Sequence, residues 1–142
     1  MPHKKRIRIV QALIYLWVSP NSFLGLFVGL LGLVTGGRFQ YRRGCMEFYG
    51  GFVTWLLVRL RVMAMTLGHT IIGQEEKELE IVRDHEQVHV RQYERWGPFF
   101  IPLYFWYSIW LWFQKRDCYR ENPFEVEAYD LADPSEKRQR KD

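Results

Sequence analysis

The sequence predicts an α+β fold: an N-terminal apolar helix or helical hairpin, a small antiparallel sheet, a long helix and a C-terminal helix. Three features of the pattern predict it. An uncharged apolar run extends from Val10 to Val34, and segments of β-favouring residues bounded by glycine follow between residues 38 and 72. Apolar residues then recur at helical spacing from about Glu75 to Trp96. With 142 residues, the chain is long enough for a single domain with a buried core.

We expect three regions: a membrane anchor with a basic tail over residues 1–36, a mixed domain over 37–132, and a charged, disordered tail over 133–142. Aromatic residues make up 17% of the chain and charged residues 25%, a segregated composition that indicates a membrane-associated protein. The net charge of +4 favours contact with anionic lipid. No nucleic-acid-binding motif accompanies that charge, so nucleic acid is not an expected partner. Cys45 and Cys118 are isolated and indicate neither a disulfide framework nor metal ligands.

The run from Val10 to Val34 has 25 residues, enough to cross a hydrocarbon core of about 30 Å. Ser19-Pro20 has the pattern of a helix cap followed by proline at the first helical position. Two arrangements follow: a single kinked span, or a re-entrant hairpin bent at Ser19-Pro20-Asn21. We favour the hairpin because it keeps the basic clusters that flank every apolar block on the cytoplasmic face of a bacterial inner membrane. These clusters are Lys4, Lys5, Arg6 and Arg8, then Arg38, Arg42 and Arg43, then Lys115, Arg116 and Arg120.

Gly25 and Gly29 form a GxxxG motif in the same run. Such a motif lets a second helix approach closely, so this helix face is the candidate surface for a homo-oligomer. Glycines are frequent in membrane helices, and the motif alone is therefore a weak signal.

The pattern between the anchor and the long helix predicts β-strands and one short helix. Arg38 to Tyr49 has the pattern of a β-hairpin with its turn at Arg43-Gly44. Phe52 to Leu60 is predicted as a short helix. Val62 to Ile72 is predicted as a strand that leads into the long helix.

His85-Glu86-Gln87-Val88-His89 forms an HExxH motif inside the predicted long helix. Residues i and i+4 share one helix face, so both imidazoles can bind the same zinc ion. Glu86 lies about 100° around the axis from His85, where its carboxylate can take a proton from a water that zinc has acidified to a pKa of about 7. Both histidines lie on the apolar stripe, where buried imidazoles need partners. The motif therefore predicts metal ligands at His85 and His89 and a general base at Glu86.

The long helix is predicted to end at Gly97-Pro98, before an uncharged aromatic segment from Phe99 to Phe113. At about 1.5 Å per residue this segment spans about 22 Å, too short for a full crossing. Its tryptophans and tyrosines suit the headgroup zone, so we expect it to lie at the membrane interface. Asn122 and Pro123 then predict the cap and first residue of a last helix, with Glu125 in the capping-box position.

A catalytic zinc ion needs a third protein ligand and one open position. No third histidine follows at the HExxHxxGxxH spacing, since Gln92 and Tyr93 stand where that pattern would continue. A downstream carboxylate, Glu125 or Glu127, is the remaining source. Two residues apart on one helix, the two cannot both face one metal ion.

The run Glu125-Val126-Glu127-Ala128-Tyr129 resembles the later motif of the gluzincins, in particular of integral-membrane metallopeptidases with HExxH followed by Glu-x-x-Ala-Asp. The resemblance implies Glu125 as the third zinc ligand and a peptide or protein substrate. It also implies that a strand edge before the HExxH helix binds the substrate by main-chain pairing. Tyr129 stands where that family has aspartate, so the group that supports the metal ligands differs here.

A second resemblance covers most of the chain. The runs Asp84–Pro98 and Asn122–Glu125, with Trp17-x-Ser19-Pro20, are similar to short bacterial membrane proteins of no assigned activity. The residues together predict a zinc-dependent peptidase at a bacterial membrane, with a zincin-like domain over 37–132. The alternative is a non-enzymatic membrane or scaffold protein, in which the histidine pair is structural or binds metal without turnover.

Overall fold

The computed structural model describes residues 2–133, with side chains from Arg8 onward, and it confirms the predicted α+β fold. The tail that we predicted as disordered lies outside the described residues from position 134 onward. A 3-10 turn at Gly97–Phe99 joins the third and fourth helices. The elements in chain order are α1 (Pro2–Val34), β1 (Arg38–Arg42), β2 (Cys45–Tyr49), α2 (Phe52–Leu60), β3 (Ala64–Leu67), β4 (Thr70–Gly73), α3 (Glu76–Trp96), α4 (Phe100–Phe113) and α5 (Pro123–Ala132).

Four strands form one mixed sheet in the order β1-β2-β4-β3. The predicted hairpin is confirmed as β1 and β2, which pair antiparallel on either side of Arg43-Gly44. The expectation of a wholly antiparallel sheet was wrong, because β2 and β4 run parallel. A parallel pair needs a long crossover, which α2 and β3 supply. The segment from Val62 to Ile72 is two strands, since Gly68, with φ +67°, turns the chain between β3 and β4.

α1 is one continuous helix through Pro20, so the predicted hairpin bent at Ser19-Pro20-Asn21 is wrong. Proline has no N–H to donate to the carbonyl of Leu16, one turn earlier. The Ser19 hydroxyl donates to that carbonyl instead, at 2.7 Å. The serine that looked like a helix cap therefore satisfies the acceptor that Pro20 leaves open, and the helix continues.

The polar residues that follow Pro20 attach α1 to the rest of the chain. The Asn21 side-chain amide donates to the carbonyl of Gly97 at 3.0 Å, at the end of α3. The Ser22 hydroxyl accepts the backbone N–H of His69 at 2.9 Å, in the turn between β3 and β4. Polar side chains in the middle of an apolar helix thus have tertiary partners, which removes the cost of burying them.

The glycine face of α1 lies directly against the sheet. A Cβ added at Gly25 would meet the Thr70 side chain at 2.7 Å, and one added at Gly29 would overlap the ring of Phe48. The helix therefore approaches the sheet more closely than any residue with a side chain allows. The face that we assigned to a partner helix is occupied by the chain's own sheet, and homo-oligomerisation itself stays a prediction.

The opposite face of α1 is exposed and apolar. Of the described residues, Arg8–Val34 is the segment long and apolar enough to cross a membrane, with a mean hydropathy of 1.6. Only 28% of its 18-residue apolar stretch is buried inside the chain. Large exposed side chains on this helix include Leu13, Leu16, Phe23 and Phe27. Such a surface suits contact with lipid.

A buried ion pair fixes α3 across the sheet. The Arg83 guanidinium donates to both carboxylate oxygens of Glu47 on β2, at 2.9 and 3.0 Å, and Glu47 is fully buried. Removing one partner of such a pair costs about 3–5 kcal/mol, because the other charge stays buried without compensation. Arg83 lies two residues before His85, so this contact sets the orientation of the turn that carries the HExxH motif.

The chain doubles back after α4, and α5 returns to α3. The Asn122 side chain donates to the carbonyl of Tyr104 at 3.0 Å and accepts the Phe124 N–H at 3.1 Å, which confirms the predicted cap of the last helix. Glu125 occupies the capping-box position but does not complete the box, because the backbone N–H of Asn122 donates to the carbonyl of Tyr119 at 3.1 Å. The Glu125 side chain faces α3 instead.

We expect Gly29→Ala to destabilise the protein, because the added methyl group overlaps the Phe48 ring. In a helix surrounded only by lipid or solvent, the same change favours the helix by about 1 kcal/mol. Overpacking against the sheet instead costs about 1–3 kcal/mol. Thermal unfolding followed by circular dichroism gives the sign. Leu30→Ala, at an exposed position of the same helix, is the control, and a raised melting temperature for Gly29→Ala would contradict this packing.

Candidate metal centre

The two histidines of the HExxH motif project from α3 towards α5. Their Nε2 atoms are 3.1 Å apart, and both side chains are largely buried. The spacing of four residues on a regular helix produces this convergence, as the sequence predicted. The buried stripe of α3 also includes Leu79 and Gln92, which fixes the face that the helix turns inward.

Glu125, in the first turn of α5, completes a cluster with the two histidines. One carboxylate oxygen lies 3.1 Å from Nε2 of His85, and the other lies 3.5 Å from Nε2 of His89. The ligand atoms of the three residues lie within 4.8 Å of one another, so the cluster can hold a metal ion. A tetrahedral ion with ligands at about 2.0–2.1 Å separates them by about 3.3–3.4 Å, which is close to the observed distances.

Glu127, the alternative third ligand, has other partners. Its carboxylate accepts a hydrogen bond from the Gln92 side chain at 2.8 Å and pairs with Arg95 at 3.3 Å. Among the described residues, Glu125 is the carboxylate that joins both histidines. The geometry therefore supports Glu125 over Glu127 as the third ligand.

Gln92 orients the ring of His89 from the side opposite the cluster. Its side-chain oxygen lies 2.8 Å from Nδ1 of His89, so Nδ1 carries the proton and Nε2 faces the cluster. Its amide group donates to the carbonyl of Phe124 at 3.0 Å, which ties α3 to α5. The sequence pattern placed Gln92 on the buried stripe but assigned it no role.

His85 lacks a comparable partner. Its Nδ1 atom is buried without a hydrogen bond, and the ring of Tyr129 packs against the imidazole with the centroids 4.5 Å apart. Tyr129 occupies the position at which the gluzincins have aspartate. An aromatic ring does not accept the imidazole proton as a carboxylate does, so packing and the cluster itself position His85.

Tyr104, from the aromatic segment, donates its hydroxyl to Oε1 of Glu125 at 2.7 Å. We missed this residue because the segment was expected to lie at the lipid interface. α4 is mostly exposed, but its first turn packs on α5 through Phe100 and Phe124, with ring centroids 4.9 Å apart. Tyr104 lies four residues after Phe100 and therefore shares its inward face, a spacing that the sequence already contains.

Glu86 is buried beside the cluster and is not one of its members. Its side chain lines the same cavity as His89 and Glu125. One of its carboxylate oxygens accepts the hydroxyl of Thr66, on β3, at 2.6 Å. The structure thus places the predicted base next to the predicted ligands and positions it from the sheet.

The buried groups shift one another's pKa values. Burial lowers the pKa of His89, but the hydrogen bond to Glu125 and the charge of Glu86 outweigh burial and raise it to about 9. Burial raises the pKa of Glu125, but hydrogen bonds from both histidines and Tyr104 outweigh it and lower it to about 2. At neutral pH the metal-free chain therefore has a protonated His89 and an ionised Glu125. A divalent cation can replace that proton and balance the buried carboxylates.

Two spaces border the cluster. An inner cavity of about 210 Å³ lies between β3, α3 and α4, and an outer cleft of about 1040 Å³ lies between β3, α3 and the end of α5. Glu86 and Tyr119 line both spaces. A molecule bound at the cluster can therefore extend into either space.

Comparison with known proteins adds no relative. The chain matches no protein-family model, no curated protein and no solved structure. The likeness to the gluzincins consequently rests on the HExxH motif and the later glutamate, and function has to be argued from the site itself.

We predict one zinc ion per chain at this cluster, with Glu125→Gln weakening the affinity by at least about tenfold because an anionic ligand is lost. Glu127→Gln is the matched control, since it makes the same chemical change on a side chain that contacts Gln92 and Arg95. Competition with a chelator measures the affinities, and elemental analysis gives the stoichiometry. Unchanged zinc content in His89→Ala would rule out this set of ligands.

Zinc binding should release a proton from His89 at neutral pH, because its pKa of about 9 keeps it protonated in the metal-free chain. This pKa lies above the ordinary value of 6.5, so the proton stabilises the metal-free fold fully below pH 6.5, and the stabilisation is lost as the pH rises through 9. The apparent zinc affinity should therefore increase about tenfold per pH unit across this window and then level off. Titration calorimetry in buffers of different ionisation enthalpy counts the protons, and binding without proton release is the contrary result.

Proposed function

We propose that this protein is a zinc-dependent peptidase at a bacterial membrane, with His85, His89 and Glu125 as metal ligands and Glu86 as the general base. The convergence of the three ligand atoms within 4.8 Å, beside a buried Glu86, carries the proposal. Two imidazoles and one carboxylate are a donor set of catalytic zinc sites, which keep one position open. When bound, the zinc ion lowers the pKa of water to about 7 and polarises a carbonyl group.

Glu86 has the position and the environment of a proton acceptor. Its place next to His85 turns its side chain about 100° from the ligand face, so it lines the cavity without joining the cluster. The Thr66 hydroxyl holds one carboxylate oxygen at 2.6 Å, and the other oxygen can take a proton. In peptide hydrolysis such a base takes a proton from the attacking water and delivers it to the departing amine.

The edge strand β3 supports an extended peptide as the substrate. β3 pairs with β4 on one side and is the last strand of the sheet. The Met63 carbonyl accepts the N–H of Gln74, and because hydrogen-bonded pairs alternate, the main-chain groups of Ala64 and Thr66 point away from β4. The Tyr93 hydroxyl donates to the Thr66 carbonyl at 3.1 Å. Ala64 then offers its outward main-chain groups to an added strand beside the cluster.

The environment of His85 favours a second candidate, a membrane protein that binds metal without turnover. Nδ1 of His85 has no hydrogen-bond acceptor, and Tyr129 stands in place of the aspartate of the gluzincins. In such a protein the metal ion would join α3 to α5 and stabilise the fold. Stoichiometric zinc together with no hydrolysis of any peptide by the wild-type chain would identify this case.

We place the protein on the cytoplasmic face of a bacterial inner membrane, in contact with anionic lipid. The apolar length of Arg8–Val34 and the exposed aromatic side chains of α4 support this location, together with the basic residues that follow each segment. The sheet packs alongside α1 at Gly25 and Gly29, so the domain accompanies the helix. A continuous α1 with one face in the bilayer needs no re-entrant bend to keep the basic residues that follow α1 and α4 on the cytoplasmic side.

Glu86→Gln should abolish peptide hydrolysis, with a loss of about 10²–10⁴ in kcat, while the zinc content stays at the wild-type value. The reason is that glutamine fills the same space and cannot accept the proton. Glu80→Gln, at an exposed position of the same helix, is the matched control and should keep full activity. Turnover of a quenched fluorogenic peptide library measures the rates. Equal activity of the two variants would exclude Glu86 as the base.

A further inference from the structure

The two spaces at the cluster differ in chemistry. Apart from residues of the site itself, the inner cavity is walled by apolar side chains, while the outer cleft includes charged ones. The inner apolar wall includes Met65, Leu67, Phe100, Ile101 and Phe105. The outer cleft includes Arg61, Asp84 and Asp117. The outer cleft also has apolar lining residues such as Leu60, Ile81 and Val82, so its surface is mixed. The inner cavity thus favours an apolar group, and the charged side chains of the outer cleft favour a polar one.

The inner cavity borders the exposed apolar surface of the chain. Phe105 lines the cavity and is also 59% exposed on the outer face of α4. Trp106, Ile109 and Trp110 are exposed on the same helix. The metal cluster is thus separated from a surface suited to lipid by the side chains of one helix.

α1 extends that surface. The ring of Trp17 lies 6.0 Å from the ring of Phe99, and Val18 packs in one buried cluster with Phe100. The apolar faces of α1 and α4 therefore adjoin at the start of α4. An apolar segment in contact with these faces would therefore lie next to the helix that walls the inner cavity.

We propose that the substrate is a polypeptide whose scissile bond joins an apolar segment to a polar one, as at the end of a membrane-embedded stretch. The proposal rests on the proposed peptidase function. An apolar side chain next to the scissile bond occupies the inner cavity, whose volume of about 210 Å³ is formed largely by apolar walls. The polar segment follows β3 through the outer cleft. Burial of that one side chain should favour binding by about tenfold or more.

Binding of synthetic peptides to the zinc-loaded Glu86→Gln protein tests the substrate class without the need for turnover. The full chain is reconstituted in nanodiscs that contain anionic lipid. Three dye-labelled peptides share one composition: an apolar run of Leu and Ala followed by a polar run of Ser, Lys and Glu, the same two runs in reverse order, and a scrambled sequence. We expect one of the two block peptides to bind about tenfold more tightly than the scrambled peptide.

Two variants locate the binding. Ile101→Trp fills the inner cavity and should remove the preference for the block peptide, whereas Ile109→Trp makes the same change at an exposed position of α4 and should keep it. Both proteins are compared in the same discs, so partition of the peptide into lipid cancels. Met65→Trp fills the cavity from β3 and repeats the test if Ile101→Trp loses its zinc.

Equal binding of block and scrambled peptides would overturn the proposal, and so would an equal effect of the cavity-filling variants and Ile109→Trp. These outcomes differ from failure of the proposed function. A wild-type chain that binds zinc and the block peptide but hydrolyses no peptide would refute the peptidase and leave the binding surface established. Hydrolysis that depends on Glu86 without preference for block peptides would support the peptidase and refute the proposed substrate class.

Discussion

The buried contact of the Glu125 carboxylate with the imidazoles of His85 and His89 is the interaction on which the rest of the structure depends. The three groups lie 3.1–3.5 Å apart in a region that is largely closed to water. Uncompensated charges in such a place cost several kcal/mol, so each group requires the others or a metal ion. Because Glu125 lies 36 residues beyond His89, the chain has to fold α4 and the following loop back on themselves to satisfy the cluster.

Several contacts stabilise the packing of α4 and α5 against α3. The side-chain amide group of Gln92 donates to a backbone carbonyl of α5, and its oxygen accepts from Nδ1 of His89. The hydroxyl of Tyr104 donates to the carboxylate of Glu125. The ion pair of Arg83 with Glu47 on β2 sets α3 on the sheet, and the Thr66 hydroxyl on β3 holds the Glu86 carboxylate. The sheet and the helices are therefore coupled through the groups that build the site. A disturbance of the sheet should change metal affinity as well as stability.

The N-terminal helix is part of the same domain. Asn21 bonds the carbonyl at the end of α3, and the glycine face of α1 lies on β2 and β4. An anchor that is rigidly packed against the domain fixes the height and tilt of the site relative to the bilayer, which a flexible tether does not do. For the peptidase that we propose, that fixed position would select which part of a substrate reaches the cluster.

The local patterns of the sequence determined the elements: the apolar run, the β1-β2 hairpin, the HExxH helix that ends before Gly97, and the Asn122 cap. Each depends on residues a few positions apart, which is the range over which periodicity and capping act. The spacing of His85 and His89 likewise fixed two ligands. The resemblance to the gluzincins, and not the spacing, singled out Glu125.

Tertiary structure decided the remainder, because those questions concern partners far apart in the chain. Ser19, Pro20 and Asn21 have the composition of a turn, but α1 continues through them, and the Asn21 side chain donates to the carbonyl of Gly97, 76 residues away. The parallel pairing of β2 with β4 depends on the α2 crossover, and the choice of Glu125 over Glu127 depends on which helix face meets α3. A pattern of residues a few positions apart carries no information about contacts between residues far apart in the chain. The sequence by itself determined which side chains share a helix face, and only the packing of the faces determined which of them meet.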